Sequence, residues 1–230
     1  MPQWCKYLYL LLFSSWDTRY ENELSNFESH GDIGEIWFEE TMDQLIECVL
    51  DSDQITAQSS IIDIGCGNGA FLLHLAAEGF KNLYGIDYSQ KAVELAQAVA
   101  AQKDLNVTYK QVDILNPDDE SLSVRGYDLC HDKSTYDAVS MCPDDPWGKR
   151  AIYIQAVHRI THKDGLFIIT SVNWTQEELM AHFSDYDVVV LSENHNEQQE
   201  MLNAVTEYGR DFNVSFSKEK SQVLVVNGKD

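Results

Sequence analysis

Apolar residues in this chain come as short unbroken runs and as stripes at helical spacing, and from residue 60 onward the two alternate. The run Ser60-Ile61-Ile62-Asp63-Ile64 reads as a strand covered on both faces. A helix is expected over 68–78, stopped by Gly79. Further strands are expected at 82–86, 107–112, 127–131 and 166–171, with closing strands at 187–191 and 222–226. Ser89 caps a helix through Ala101 whose apolar side carries Ala92, Val93, Leu95, Ala96 and Val99. Asp145-Pro146 opens a helix running to about 161, ended by Lys163-Asp164-Gly165. Thr175 caps another at 176–183, with Glu177 and Glu178 near its positive end. Two helices, 16–29 and 39–50, precede this core, and the polar stretch 192–207 reads as a surface loop with some helix. Strands alternating with helices imply an α/β fold, a doubly wound, mostly parallel seven-strand Rossmann-like sheet with an antiparallel last strand. One domain is expected over 15–230, with 15–55 as a helical lid and 56–230 as the core. Residues 1–14 read as an atypical leader, whose apolar stretch is too short to span a membrane.

The first strand leads into Asp63-Ile64-Gly65-Cys66-Gly67-Asn68-Gly69, and a helical pattern follows at once. A strand that passes through closely spaced glycines into a helix is a nucleotide-binding turn: backbone N–H groups can approach a ligand beside the positive helix end. Gly65, Cys66, Gly67 and Gly69 are therefore candidate cofactor contacts. Asp63 stands where dinucleotide-binding strands usually carry an apolar residue, and it can accept hydrogen bonds from a cationic ligand group. That favours S-adenosylmethionine, which carries an ammonium and a sulfonium. Asp87 ends the second strand, 22 positions after Gly65, where an acid accepts from both ribose hydroxyls. Tyr88 is placed to pack against ribose or adenine. Asp113 ends the third strand, where it would accept from the adenine amino group or cap the following turn. Because Gly65-x-Gly67-x-x-Ala70 also satisfies a relaxed dinucleotide pattern, a nicotinamide oxidoreductase stays an alternative.

Charge narrows the partners. The 230 residues carry 38 acids against 16 bases, a formal charge of −22, which repels nucleic-acid phosphates and suits a basic protein or a cationic small molecule. Five scattered cysteines without a CxxC pair fit reduced thiols in the cytosol or nucleus. No metal is expected, since His158 and His162, at helical spacing, lack the glutamate of an HExxH arrangement. No membrane partner is expected, and the chain is expected to be a monomer.

The fourth strand ends in His131-Asp132-Lys133-Ser134-Thr135-Tyr136-Asp137. Asp132 is the candidate to receive a substrate amine, and Tyr136 to wall its channel. Asn173 and Trp174, after the fifth strand, would flank the same channel, and Trp37, in the two-glycine loop 31–38, would close it. Methyl transfer from a sulfonium is an in-line displacement, so the protein's task is alignment and delivery of an unprotonated nucleophile.

Several runs carry a closer likeness. Trp16-Asp17, Gly34-Glu35-Ile36-Trp37-Phe38, Asp63-Ile64-Gly65, Gly85-Ile86-Asp87-Tyr88-Ser89, Asp132-Lys133-Ser134-Thr135 and Ser171-Val172-Asn173-Trp174-Thr175 resemble the lysine methyltransferases of translation elongation factor 1-alpha, the methyltransferase-like ten group of the class I seven-strand superfamily. The resemblance spans roughly residues 16–183. It implies a cytoplasmic enzyme that methylates a lysine of that basic factor. A small-molecule amine methyltransferase and a non-catalytic partner subunit on the same fold are the alternatives.

Overall fold

The computed structural model describes residues 3–36, 39–123, 126–142, 144–171, 173–183 and 222–227. Helix α1 (Gln3–His30) and helix α2 (Glu39–Leu50) come first. The alternating part follows as β1 (Ser60–Ile64), α3 (Ala70–Ala77), β2 (Asn82–Asp87), α4 (Gln90–Gln102), β3 (Thr108–Gln111), β4 (Tyr127–Lys133), α5 (Thr135–Ser140), α6 (Pro146–Ile160), β5 (Thr161–Ser171), α7 (Gln176–His182) and β6 (Gln222–Asn227). The strands form one sheet in the order β3-β2-β1-β4-β5-β6. The first five run parallel, and β6 pairs antiparallel with β5. The strand expected at 187–191 and the loop at 192–207 lie outside the described residues.

Strand alternation divides the core into two faces. Ile61, Leu83, Leu129 and Ile168 pack with Met42, Leu45, Leu72, Val93 and Val99, from α2, α3 and α4. Ile62, Ile64, Cys130, Phe167 and Ile169 pack on the other face with Tyr136, Tyr153, Val157 and Leu179, from α5, α6 and α7, and with Phe183, which follows α7. Each fully buried large aliphatic contributes roughly 1.5–3 kcal/mol relative to exposure, so both layers are needed to hold the sheet.

Several boundaries differ from expectation. Helix α1 continues back to Gln3, well before residue 16. Helix α6 stops at Ile160, and the chain pairs as β5 from Thr161. Residues 162–165 are absorbed by a register shift opposite Tyr127 and Leu129, so Lys163-Asp164-Gly165 sits in an irregular strand rather than ending a helix. His162 thus leaves the helix that carries His158, and the expected pair is split between two elements. The short helix α5 is also unanticipated. It starts after Ser134 in the left-handed conformation, φ 67°, which hides its onset from propensity.

Candidate cofactor and acceptor site

The glycine turn is fastened to the end of β2. The N–H groups of Gly65 and Cys66 both donate to the Ile86 carbonyl, at 2.8 and 3.0 Å. Gly67 N–H donates to Asp87 Oδ2 at 3.0 Å, and Ser89 N–H to Asp87 Oδ1 at 2.9 Å. Asp87 is only 6% exposed, and burial pushes its carboxyl up to about 6 against the pull of those two N–H groups. Gly65 and Gly67 are left-handed, φ 71° and 53°. A Cβ on Gly65 would run into the Thr135 side chain, whose Oγ1 donates to the Ile64 carbonyl at 2.8 Å. A Cβ on Gly67 would meet the Tyr20 hydroxyl. The glycines therefore make room for two of the protein's own side chains as well as for a ligand.

Tyr20 belongs to α1, so that helix reaches the turn. Burial, then the Asp87 charge, raises its phenol well above the ordinary range and keeps it a neutral hydroxyl. The loop after α1 is tied to the same turn. Asn68 Nδ2 donates to the carbonyls of Ile33 at 3.2 Å and Glu35 at 3.3 Å. Arg19 pairs with Glu23 at 3.0 Å and also with Glu35. Asn68 thus has a structural task that its place in a glycine motif did not announce.

The other acids of the site diverge in role. Asp63 points to the α2–α4 face, where its Oδ1 lies 2.7 Å from Nδ1 of His131, a residue with 0% exposure stacked on Phe71 at 3.9 Å. Asp113 is exposed, and its Oδ1 accepts from Leu115 N–H at 2.9 Å, the turn-capping geometry. Tyr88 is half-buried, its carbonyl held by Gln111 Nε2 at 3.0 Å. Cys66 is buried, its thiol pushed up by burial and by Asp87, so it lines the turn without ionising.

Asp132, expected to receive a substrate amine, is instead enclosed by the protein. It has 0% exposure, and its oxygens accept from Thr135 N–H at 2.9 Å, Tyr136 N–H at 2.9 Å and the Tyr153 hydroxyl. It is the anchor of α5 and has no open face for a substrate amine. Burial, opposed by the Tyr153 bond, pushes its carboxyl up to about 8. Tyr136 is likewise buried at 1% exposure, among Tyr153, Trp174, His182 and Phe183. Asp137 ties α5 to β5 through Ser171 Oγ at 2.5 Å. The half-buried Asn173 and Trp174 follow β5, and among the described residues their Nδ2 and Nε1, like the Ser134 hydroxyl, are buried donors with no acceptor. Ser134 N–H donates to the Thr170 carbonyl at 2.9 Å, which brings the ends of β4 and β5 together. Trp37 lies outside the described residues.

The site therefore occupies the carboxyl ends of β1, β2, β4 and β5, where doubly wound sheets bind ligands. A methyltransferase domain model matches residues 55–216. The chain belongs to the methyltransferase-domain family. Among its relatives is mouse EEF1A lysine methyltransferase 2, 44% identical over 172 residues, covering 74% of this chain and 69% of the relative. The protein-lysine N-methyltransferase EFM4 of Saccharomyces cerevisiae is 36% identical over 177 residues, 72% of this chain and 76% of its own. In fold, this methyltransferase is similar to the N-methyltransferase NodS of Bradyrhizobium japonicum, solved with S-adenosyl-L-homocysteine, at a TM-score of 0.62 and 17% identity over 94% and 99% of the two chains.

The residues present fit S-adenosylmethionine. The left-handed glycines at 65, 67 and 69 bring backbone N–H groups to the end of β1, and the buried carboxylate of Asp87 stands beside them, bonded to Gly67 N–H. Among the described residues the buried donors of Asn173 and Trp174 have no acceptor. Among the described residues no helix is long and apolar enough to cross a membrane, and no group of three or more histidines, cysteines or acids is arranged for a metal.

Proposed function

We propose that this chain is a cytoplasmic, S-adenosylmethionine-dependent protein-lysine N-methyltransferase acting on elongation factor 1-alpha. The observation that carries the reading is the glycine turn bonded to a buried carboxylate at the end of β2, in a chain 44% identical to an elongation factor lysine methyltransferase. Asp87 accepts from the ribose hydroxyls with the lone pairs left by Gly67 and Ser89. Gly65, Cys66, Gly67 and Gly69 offer backbone to the cofactor, and Tyr88 packs against its base. Asp113 holds its turn through Oδ1 and would meet the adenine amino group with Oδ2. Asp63, held by His131, organises the amino-acid end. When bound, S-adenosylmethionine supplies a methyl on a cationic sulfur, open to in-line attack.

The remaining chemistry falls to the acceptor side. A lysine amine, with a pKa near ~10.4 in water, must arrive neutral. Trp174, half-buried at the end of β5 with Tyr136 packed behind it, supports this by keeping water from the amine and so disfavouring its charged form. Asn173 and Trp174 orient what enters at the end of β5, with Trp37 as the closing residue. Asp132 acts at one remove, by fixing Thr135 and Tyr136.

The test is incubation of the full chain with isotopically labelled donor and purified elongation factor 1-alpha, followed by mass spectrometry of its lysines. Label on free amines in place of the factor would favour a small-molecule methyltransferase. Cofactor binding without any transfer would favour a partner subunit.

A further inference from the structure

The turn from α5 into α6 carries an arrangement that methyl transfer itself does not use. Trp147, in the first turn of α6, is 74% exposed, and Met141, at the end of α5, is 45% exposed. A tryptophan this open is ordinarily free to turn, but this one is pinned from below. The guanidinium of Arg150 lies 3.9 Å from its ring centroid and 5.1 Å from that of Trp174. Arg150 is itself buried at 7% exposure, donating to the Pro146 carbonyl at 3.3 Å and lying 3.3 Å from His182 Nε2. Because arginine only donates, His182 Nε2 must accept, which leaves Nδ1–H to donate to the Tyr136 hydroxyl 3.0 Å away. His182 is therefore a neutral ring, consistent with burial and Arg150 lowering its pKa. The backbone is fixed as well. Asp145 is left-handed at φ 53°, its Oδ1 accepts from Gly148 N–H at 3.1 Å, and Pro146 follows at the first helical position.

One face of Trp147 thus rests on a buried cation, and the outer face is open. The exposed charges of this turn are the carboxylates of Asp144 and Asp145. Its cations are both turned inward: Arg150 lies beneath the ring, and Lys149 Nζ lies 2.6 Å from the buried thiol of Cys142. The ladder Trp147–Arg150–Trp174 runs from this rim to the end of β5, where Trp174 and Asn173 hold their unpaired donors.

We propose that the outer face of Trp147, framed by Met141, Asp144 and Asp145, is the docking point for a cationic segment of the protein substrate, next to the acceptor site. This rests on the protein-lysine reading above. The apolar stems of that segment cover the indole, and its ammonium or guanidinium groups meet the two carboxylates. The chain's charge of −22 suits such a partner and speeds its approach. A tryptophan already held in place loses little side-chain entropy on binding, which is what makes an exposed aromatic effective at an interface.

The test uses full-length wild type and the variants Trp147→Ala, Trp147→Phe and Asp144→Lys. Affinity for purified elongation factor 1-alpha is measured by calorimetry at two salt concentrations, with steady-state kinetics and cofactor affinity alongside. Trp147→Ala should bind the factor about thirtyfold more weakly and raise KM with kcat and cofactor affinity retained. Trp147→Phe should recover affinity to within about threefold, since it keeps a flat apolar face. Asp144→Lys should weaken binding most at low salt. If wild type methylates the factor and Trp147→Ala binds it equally well, the docking site is wrong and the enzyme assignment stands. If wild type neither binds nor methylates the factor, the substrate reading fails and the docking site falls with it. Should Trp147→Ala abolish a self-association seen by sedimentation while substrate affinity is unchanged, the face belongs to a second copy of the chain and the proposal is overturned.

Discussion

Replacing Asp87 with asparagine should move stability and cofactor affinity in opposite directions. The carboxyl is 6% exposed and raised from 3.8 to about 6, chiefly by burial. Holding it charged at neutral pH therefore costs roughly 3 kcal/mol of folding stability. The sign follows from proton binding. Between pH 4 and 6 the folded state holds the proton more tightly than the unfolded one, so this group's contribution is greatest below pH 4 and is lost as pH rises through 6. Asparagine resembles the protonated acid and does not titrate. Asp87→Asn should match wild type near pH 3 and exceed it by about 2–3 kcal/mol near pH 8, less the penalty where its amide N–H2 faces Gly67 or Ser89 N–H. Losing a charge-assisted acceptor for the ribose should weaken S-adenosylmethionine binding by about 1.5–3 kcal/mol, or roughly 10- to 100-fold. Wild-type affinity should itself fall as pH drops through about 6. Urea denaturation of the cofactor-free protein at several pH values gives the first quantity, and titration calorimetry the second. A stability difference that does not change with pH would refute the buried-charge argument. Unchanged cofactor affinity at pH 8 would refute the ribose assignment.

Asp132→Ala should destabilise by about 3–5 kcal/mol, because Thr135 N–H, Tyr136 N–H and the Tyr153 hydroxyl lose their acceptor in a dry site. Asp132→Asn should lose far less, and it should gain on wild type as pH rises from about 4 to 8 and hold level above that, because over this range the folded carboxyl, raised to about 8, keeps a proton that the unfolded one has released. Denaturation at pH 4.5 and 9 checks both. Asn68→Ala removes the two bonds to Ile33 and Glu35 and should speed amide exchange over residues 31–36, measured by mass spectrometry, with the β1 and β2 amides still protected. Gly67→Ala places a Cβ against the Tyr20 hydroxyl at a left-handed position and should cost about 1–2 kcal/mol of stability and lower cofactor affinity.

Where the determinants are local, the sequence alone was enough. The glycine turn and its bonded Asp87 were legible because strand, turn and acid follow one another at fixed spacing. Thr175 and Asp145 were legible as caps because each bonds a backbone N–H three residues ahead. Local signals failed where a partner came from another strand or layer. Asp63, Asp87 and Asp132 look alike in the sequence, each an acid at or near the end of a buried strand. Which one keeps lone pairs for a ligand depends on what the neighbouring element sends toward it. His131 on β4 meets Asp63, Tyr153 on α6 meets Asp132, and among the described residues the groups bonded to Asp87 are backbone N–H. Likewise, nothing near residue 147 reveals that Arg150 and Trp174 lie beneath an exposed indole. Chain order fixes spacing along one element, whereas hydrogen-bond saturation and burial arise only when separate elements pack. The sequence therefore determined the kind of sheet and its nucleotide-binding turn, and tertiary packing decided which polar groups remain for chemistry.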